Sequence, residues 1–254
     1  MGKNRDPRIS ATIITWNEEK NIERCLEGLS WVDEIVVLDS VSTDRTVELA
    51  KRYTDKVFIE PWSGQGSHKN RAVELAEGPW IFSIDADERV TPELAREVRQ
   101  VIKTAPLNVY AVRRKNVYRG QWIRHGGWWP DWVKRLFLKG TARFNDEIIH
   151  DSLSVEGPIG RLKEPLIHHS FENAGAFLER AHRYSRHQAD RMYQEGQRAS
   201  LWTALSHGSF EFINTYLLRF GFFDGTAGFL ISTSNAVGTF YKYMILREKC
   251  GRGG

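Results

Sequence analysis

The sequence is poor in cysteine, with Cys25 and Cys250 the two examples among its 254 residues. Two cysteines indicate neither a disulfide framework nor a thiolate metal site, and they fit a reducing compartment. Residues 1–8 are polar and charged, without the apolar segment of a signal peptide. We therefore expect a cytoplasmic protein.

Two nucleotide-binding signatures are also missing. No G-x-G-x-x-G follows the first predicted strand, and the chain has no Walker loop. These absences disfavour a dinucleotide-binding dehydrogenase and a P-loop enzyme.

The excess of positive charge is small, with a net charge of +4 and a pI near 9.0. This balance fits attraction to phosphates on nucleotides or anionic lipids. A nucleic-acid binder is a possible class, but the basic residues are dispersed and no recognised nucleic-acid module is present. Nucleic acid is therefore not an expected partner.

The first hundred residues alternate between apolar strands and amphipathic helices. Predicted strands cover Ile9–Trp16, Ile35–Leu38, Val57–Ile59 and the run from Trp80, and predicted helices begin at Asn17, Thr46, Ser67 and Thr91. Asn17 is the expected N-cap of the first helix. This alternation predicts a mostly parallel α/β sheet with right-handed crossovers, flanked by helices.

Polar residues gather where the predicted strands end. They are Thr15, Asn17 and Glu18 after the first strand, Asp39 and Asp44 after the second, and Asp85 and Asp87 after the fourth. In an open α/β sheet the carboxyl ends of the strands line the ligand crevice. Asp85 and Asp87 could converge on a divalent cation there, although a turn capped by Asp87 and helix caps at Asp39 and Asp44 are the alternatives.

From residue 109 the pattern changes. Strands are predicted over Val109–Val117, Val133–Leu138 and Leu166–Ser170, a Trp-rich loop over Arg119–Trp132, and a helix over Asn173–Glu195. We expect a sheet domain over 1–171, divided into halves 1–104 and 105–171, and a helical, amphipathic extension over 172–254.

The last third is apolar and aromatic. The segment 225–241 has no charged residue, but it falls short of the roughly 20 strongly apolar residues of a transmembrane helix. Basic residues flank this region, as they do in helices that lie on anionic membranes. A membrane-docking surface is therefore expected, with a homodimer interface or ordinary core as the alternatives.

Four ordered motifs resemble the inverting glycosyltransferases of family 2, which have a GT-A fold. They begin at Ile13 (IITWNEE), Glu34 (EIVVLDSVSTDRT), Lys69 (KNRA) and Ile84 (IDADE). Further motifs are similar to the branch of lipopolysaccharide-core β-1,4-glucosyltransferases: WPDW from Trp129, RLF from Arg135, IHD from Ile149 and LIHHSF from Leu166. Asp151 and His169 depart from the Glu and Tyr usual in that branch.

The resemblance implies a site residue by residue. Thr15, Asn17, Glu18 and Asp39 would hold the nucleoside, with Asp44 beside them, and Lys69 and Arg71 would lie near the diphosphate or base. Mg²⁺ or Mn²⁺ would bind Asp87, with Asp85 on the ribose or metal side and His168 as a further ligand. A satisfied core histidine is the alternative for His168.

Inverting transfer needs one carboxylate base near the acceptor hydroxyl. Asp151 is the predicted base and Asp131 the second candidate. On the acceptor side, Trp122, Trp128 and Trp129 are suited to stacking on sugars, and Arg124 or His125 to meeting an acceptor phosphate. His150 adjoins the predicted base. The alternative is that two of the three tryptophans are packed beneath their loop.

The resemblance thus implies transfer of a hexose, glucose in the first instance, from a UDP-sugar to a lipid-linked or lipopolysaccharide-core glycan. The enzyme would lie peripherally on the inner face of the cytoplasmic membrane. Alternatives are a polyprenyl-phosphate-linked or protein acceptor, and a sugar-nucleotide nucleotidyltransferase. The last usually carries a Gly-rich, Arg- and Lys-bearing loop where this chain has Trp16-Asn17-Glu18-Glu19.

Overall fold

The computed structural model describes residues 7–104, 106–145, 153–171 and 173–251. The chain divides into two compact units. The sheet unit comprises Met1–Arg114 and Asp131–His168, and the helical unit comprises Lys115–Pro130 and His169–Gly254. The sequence-based division at residue 171 differs from this one chiefly in the loop 115–130, which groups with the C-terminal helices.

The strands are β1 (Ile9–Thr15), β2 (Glu34–Asp39), β3 (Val57–Ile59), β4 (Trp80–Ser83), β5 (Glu88–Arg89), β6 (Val109–Tyr118), β7 (Gln121–Trp122), β8 (Asp131–Leu138), β9 (Ala142–Phe144), β10 (Leu153–Val155), β11 (Gly160–Arg161) and β12 (Leu166–Phe171). The helices are α1 (Ile22–Glu27), α2 (Thr46–Ala50), α3 (Gln65–Leu75), α4 (Pro92–Thr104), α5 (Ala174–Gln194), α6 (Leu201–Phe212) and α7 (Gly225–Gly251). A π-helical segment (Ile213–Leu218) and a 3-10 helix (Gly221–Asp224) connect α6 to α7.

The N-terminal half of the sheet unit is parallel, in the order β3-β2-β1-β4. β1 is central, and nearly all of its residues are buried because strands pair with it on both sides and apolar helices cover the sheet. Thr15 is paired in register with Asp39, and Thr12 with Ser83. These registers bring the carboxyl ends of β1, β2 and β4 to one edge, as the alternation of strands and helices predicted.

The second half of the sheet is mostly antiparallel, although β11 runs parallel to β6. β8 pairs with β4 through Ile81 and Phe137, and β6 pairs with β8 through Val109 and Phe137. β12 pairs antiparallel with β5, where His168 faces Glu88. Antiparallel neighbours need no crossover helix, and the chain between β6 and β8 provides none.

The prediction that a helix begins at Asn17 was wrong. Asn17 adopts a left-handed backbone with φ of 54°, and α1 begins at Ile22. The Asn17 side chain accepts a hydrogen bond from the Thr43 N–H at 2.8 Å, so it joins two loops and does not cap a helix.

In the helical unit, α7 packs against both α5 and α6. The prediction of α5 was confirmed, and Asn173 caps it by accepting a hydrogen bond from Ala176 N at 3.1 Å. Ser185 Oγ donates to the Gly238 carbonyl at 2.7 Å, and a Cβ on Gly238 would lie only 3.2 Å from Ala181 Cβ. Gly238 therefore permits the close approach of α5 and α7. Within the described ranges, no helix has the length and apolar character needed to cross a membrane.

Candidate active site

Asp85 follows β4 and lies between two buried cations. Its Oδ1 is 2.8 Å from Lys69 Nζ on α3, and its Oδ2 is paired with Arg135 on β8. Arg135 Nη2 also lies 2.6 Å from Glu88 Oε1, while Glu88 Oε2 accepts a hydrogen bond from Asp85 N at 3.0 Å. Two acids and two cations therefore form one cluster at the end of β4.

Burial and charge act differently on the two acids of this cluster. Burial favours a higher pKa for Asp85, but the charges of Arg135 and Lys69 outweigh it and hold that pKa well below the usual range. Burial raises the pKa of Glu88, and the nearby Arg135 offsets only part of this effect. Asp85 is therefore the anion that balances Lys69, whose side chain is only 2% exposed.

Asp87 lies beside His168, which the pairing of β12 with β5 places next to the end of β4. Asp87 Oδ2 and His168 Nε2 are 3.2 Å apart. Neighbouring ligands of an octahedral Mg²⁺ ion, each about 2.1 Å from it, lie about 3 Å apart. The spacing and the donor types of this pair therefore fit a divalent cation.

The described residues contain no group of three or more His, Cys, Asp or Glu side chains that could hold a metal ion by themselves. Mg²⁺ is commonly bound by one or two carboxylates, with waters and substrate phosphates completing its shell. Asp87 and His168 fit that kind of site, in which the ion and a diphosphate bind together.

At the ends of β1 and β2, Thr15 and Asp39 are in contact. Thr15 Oγ1 donates to Asp39 Oδ2 at 2.9 Å, and Ser42 N donates to Asp39 Oδ1 at 2.7 Å. Asp39 is fully buried. The structure thus brings these two predicted nucleoside-binding residues together, with Asn17 on the adjoining loop.

Asp44 and Glu18 form hydrogen bonds within and between the loops that follow β1 and β2. Asp44 Oδ1 accepts from Thr46 N at 3.0 Å, its Oδ2 accepts from Glu19 N at 3.1 Å, and Glu18 N donates to Thr46 Oγ1 at 2.7 Å. Burial raises the pKa of Asp44, but the hydrogen bonds from Thr46 outweigh it and lower the pKa below its usual value. Asp44 therefore stabilises the loops that follow β1 and β2, while Arg45 occupies the N-cap position of α2.

Arg71 lies apart from the cluster around Asp85. Its Nε is 3.0 Å from Glu60 Oε1 and its Nη1 is 3.4 Å from Glu74 Oε2, on the exposed side of α3. Besides Lys69, the cation that contacts Asp85 is Arg135, for which no role was predicted from the sequence. A buried arginine within the apolar run of β8 is the signal that could have identified it, because such a charge requires a partner.

Of the two candidate bases, Asp131 lies within the described residues and Asp151 lies outside them. Asp131 begins β8, and its Oδ2 lies 2.8 Å from Arg114 Nε. Asp151 and the neighbouring His150 lie outside the described residues.

The predicted acceptor residues Trp128, Trp129 and Arg124 lie in the helical unit. The Trp128 ring packs against Phe171 and Phe177, with ring centroids 5.8 and 6.4 Å away. Trp129 meets Trp122 edge to face at 5.1 Å, and the Arg124 guanidinium lies 4.1 Å from the Trp122 ring centroid. Trp128 is thus packed against other aromatic side chains of the helical unit, which agrees with the alternative that some of these tryptophans are packed beneath their loop.

Comparison with known proteins identifies the class. Residues 10–155 match the sequence model of the family described as Glycosyl transferase family 2. The chain belongs to that family, and it is a glycosyltransferase with a GT-A fold. This membership favours glycosyl transfer over the nucleotidyltransferase alternative.

The sequence similarity to other proteins covers nearly the whole chain. An uncharacterised glycosyltransferase of Rickettsia conorii is 30% identical over 98% of this chain and 93% of its own length. The lipopolysaccharide core biosynthesis glycosyltransferase LpsC of Rhizobium meliloti is 30% identical over 91% of this chain and 89% of its own. A solved structure of S. aureus TarS 1–349 in complex with UDP-GlcNAc has a TM-score of 0.51 at 16% identity, covering 97% of this chain and 92% of that one, and it shows the likeness of fold.

Proposed function

We propose that this chain is an inverting glycosyltransferase that moves a hexose, glucose in the first instance, from a UDP-sugar to a hydroxyl group of a lipid-linked or lipopolysaccharide-core glycan. The observation that carries the proposal is the arrangement at the end of β4, where Asp87 faces His168 while Lys69 and Arg135 hold Asp85. The role of the similar LpsC in lipopolysaccharide core biosynthesis supports the acceptor class, and the binding of UDP-GlcNAc by the structurally similar TarS supports the donor class.

The donor would lie along the carboxyl ends of β1, β2 and β4. Thr15, Asn17 and Asp39 would contact the nucleoside, and Asp87 and His168 would hold Mg²⁺ or Mn²⁺ against the diphosphate. When bound, the ion supplies charge neutralisation to the departing diphosphate. Asp85 keeps Lys69 and Arg135 in place, so that the protein's own cations balance the acids of the site.

The acceptor hydroxyl must lose its proton to a carboxylate on the side opposite the leaving group. A single displacement assisted by one base inverts the anomeric centre. Inverting glycosidases likewise use one carboxylate as the base that activates the attacking group. Asp151 remains our first choice for the base, because Arg114 already engages an oxygen of the second candidate, Asp131.

A donor screen tests the proposal without knowledge of the acceptor. The purified 254-residue chain is incubated with a panel of nucleoside diphosphate sugars, with and without Mn²⁺, and the release of nucleoside diphosphate is measured. We expect metal-dependent hydrolysis with UDP-sugars, led by UDP-glucose, and its loss in Asp87→Asn. Equal hydrolysis of all donors in the presence of a chelator would overturn the metal-assisted UDP-sugar assignment.

A further inference from the structure

The segment from Leu201 to Phe229 exposes an unusual number of large apolar side chains, which we call the aromatic surface. Its exposed members are Leu201, Trp202, Leu205, Phe210, Ile213, Leu217, Leu218, Phe220, Phe222, Phe223 and Phe229. Trp202 is 79% exposed and Phe223 is 66% exposed. Contiguous exposed apolar surface of this kind marks an interaction site.

The surface arises from the way α6 packs. Ala204 and Gly208 are buried, and a Cβ on Gly208 would lie 3.1 Å from Phe240 Cβ of α7. Small residues thus form the contact of α6 with α7 along a narrow stripe. Leu201 and Leu205 are exposed on α6, and Ile213 and Leu217 are exposed on the π-helical segment that follows it.

The aromatic surface ends in a corner. Phe220 has a left-handed backbone with φ of 60°, and Gly225 has φ of 59°. Phe220, Phe222 and Phe223 are all exposed around this turn. Their ring centroids lie 4.4 to 6.2 Å apart, so the turn presents one exposed cluster of aromatic rings.

The exposed charged side chains at the two ends of this segment are arginines. Arg198 precedes α6 and Arg219 follows the π-helical segment, and both are exposed. Within residues 199–229, all of which the structure describes, the acids are Glu211, which is half-buried, and Asp224, which is buried. Asp224 Oδ2 accepts hydrogen bonds from the backbone N–H groups of Arg124 at 3.1 Å and His125 at 2.8 Å, which holds this acid inside the unit.

We propose that the aromatic surface is a docking surface for an anionic lipid bilayer, with α6 lying in the interface and the Phe220–Phe223 corner inserted among the acyl chains. This inference rests on the proposed function for its membrane-borne acceptor. Arginines at both ends can extend to the headgroups while the apolar face between them is buried. The exposed Arg219 beside these rings favours an anionic bilayer over a second copy of the chain, because a symmetric contact centred on the rings would bring the two Arg219 side chains near each other.

Vesicle flotation tests the proposal with the full chain. Vesicles contain phosphatidylcholine with or without phosphatidylglycerol, and bound protein is measured after centrifugation. The double variant Phe222→Ser/Phe223→Ser should bind at least about tenfold more weakly, because each ring loses its burial in hydrocarbon. Arg219→Gln should reduce binding to the phosphatidylglycerol vesicles about fivefold and leave binding to phosphatidylcholine alone unchanged.

Matched control variants show whether weaker binding is specific to the aromatic surface or follows from the loss of any exposed apolar or basic side chain. Leu178→Ser removes a 54% exposed apolar side chain from α5 of the same unit, and Arg96→Gln removes an exposed arginine from α4; both should bind as wild type does. Wild-type binding by the double variant would overturn the proposal. So would a wild-type dimer that binds no vesicles and that the double variant converts to a monomer, because the surface would then join two copies. Donor hydrolysis in lipid-free solution is measured in parallel, so that failure of the proposed chemistry is distinguished from failure of docking.

Discussion

At the scale of single residues, the two acids after β4 have different surroundings although one residue separates them. Lys69 and Arg135 engage both oxygens of Asp85, whereas Asp87 faces His168. Asp85 is thus suited to balancing and positioning buried cations, and Asp87 to presenting a carboxylate to a metal ion. One short segment therefore places two carboxylates in different electrostatic surroundings, because their partners come from different elements.

Asp87→Asn should weaken Mn²⁺-dependent binding of UDP on the order of 100-fold or more, since a neutral amide is a poor ligand for a hard cation. Calorimetric titration of UDP with and without Mn²⁺ measures this effect. Asp55→Asn, which changes an exposed aspartate after α2, is the matched control and should bind UDP as wild type does. An equal loss of UDP binding with and without Mn²⁺ would contradict a role for Asp87 at the metal.

Asp151→Asn should reduce glycosyl transfer by about 10² to 10⁴-fold, which is the usual contribution of a general base. UDP binding by the variant should remain unchanged, because the base acts on the acceptor. Asp131→Asn is prepared alongside it as the competing assignment. Near-normal turnover in Asp151→Asn together with a large loss in Asp131→Asn would exchange the two roles.

At the scale of elements, Glu34 ties several strands together at the edge opposite the site. Its carboxylate accepts hydrogen bonds from Ser10 on β1, from Lys56 before β3, and from Glu77 N at 2.8 Å before β4. Burial raises the pKa of Glu34, but the hydrogen bonds from Lys56 and Ser10 outweigh it and lower the pKa from 4.5 to about 2. The parallel half of the sheet therefore depends in part on an ionised carboxylate.

Glu34→Gln should lower the free energy of unfolding at neutral pH by about 2–3 kcal/mol. Because the folded pKa lies below the unfolded one, the stabilisation is complete above pH 4.5 and is lost as the pH falls from 4.5 toward 2. The difference between wild type and variant should therefore shrink across that window, as measured by urea denaturation at a series of pH values. Glu156→Gln, at an exposed glutamate, is the control, and a difference that stays constant with pH would contradict the assignment.

At the scale of the whole molecule, the chain has a sheet unit that carries the acids and cations and a helical unit that carries the aromatic surface. The proposed activation of the donor would take place on the first unit and the proposed contact with lipid on the second. The two activities should therefore respond to different variants.

Phe222→Ser/Phe223→Ser should lower transfer to an acceptor embedded in anionic vesicles by about tenfold or more while leaving donor hydrolysis in solution unchanged. The reason is that docking concentrates the enzyme on the surface that bears its acceptor. Product formation on vesicles and nucleoside diphosphate release in solution are measured on the same preparations. A parallel loss of both activities would show that the substitutions act on the fold of the enzyme.

The sequence by itself determined the alternation of strands and helices in the first hundred residues, the position of Asp85 and Asp87 at a strand end, and the apolar character of the last third of the chain. These features depend on local periodicity and spacing, which the chain carries wherever it folds. The tertiary structure alone decided that Arg135 and Lys69 share Asp85, that His168 lies against Asp87, that Asp44 supports a loop, and that Asn17 starts no helix. Those contacts depend on the registers of β4 with β8 and of β5 with β12, and on loops that meet across the sheet edge, so no local pattern in the chain could specify them.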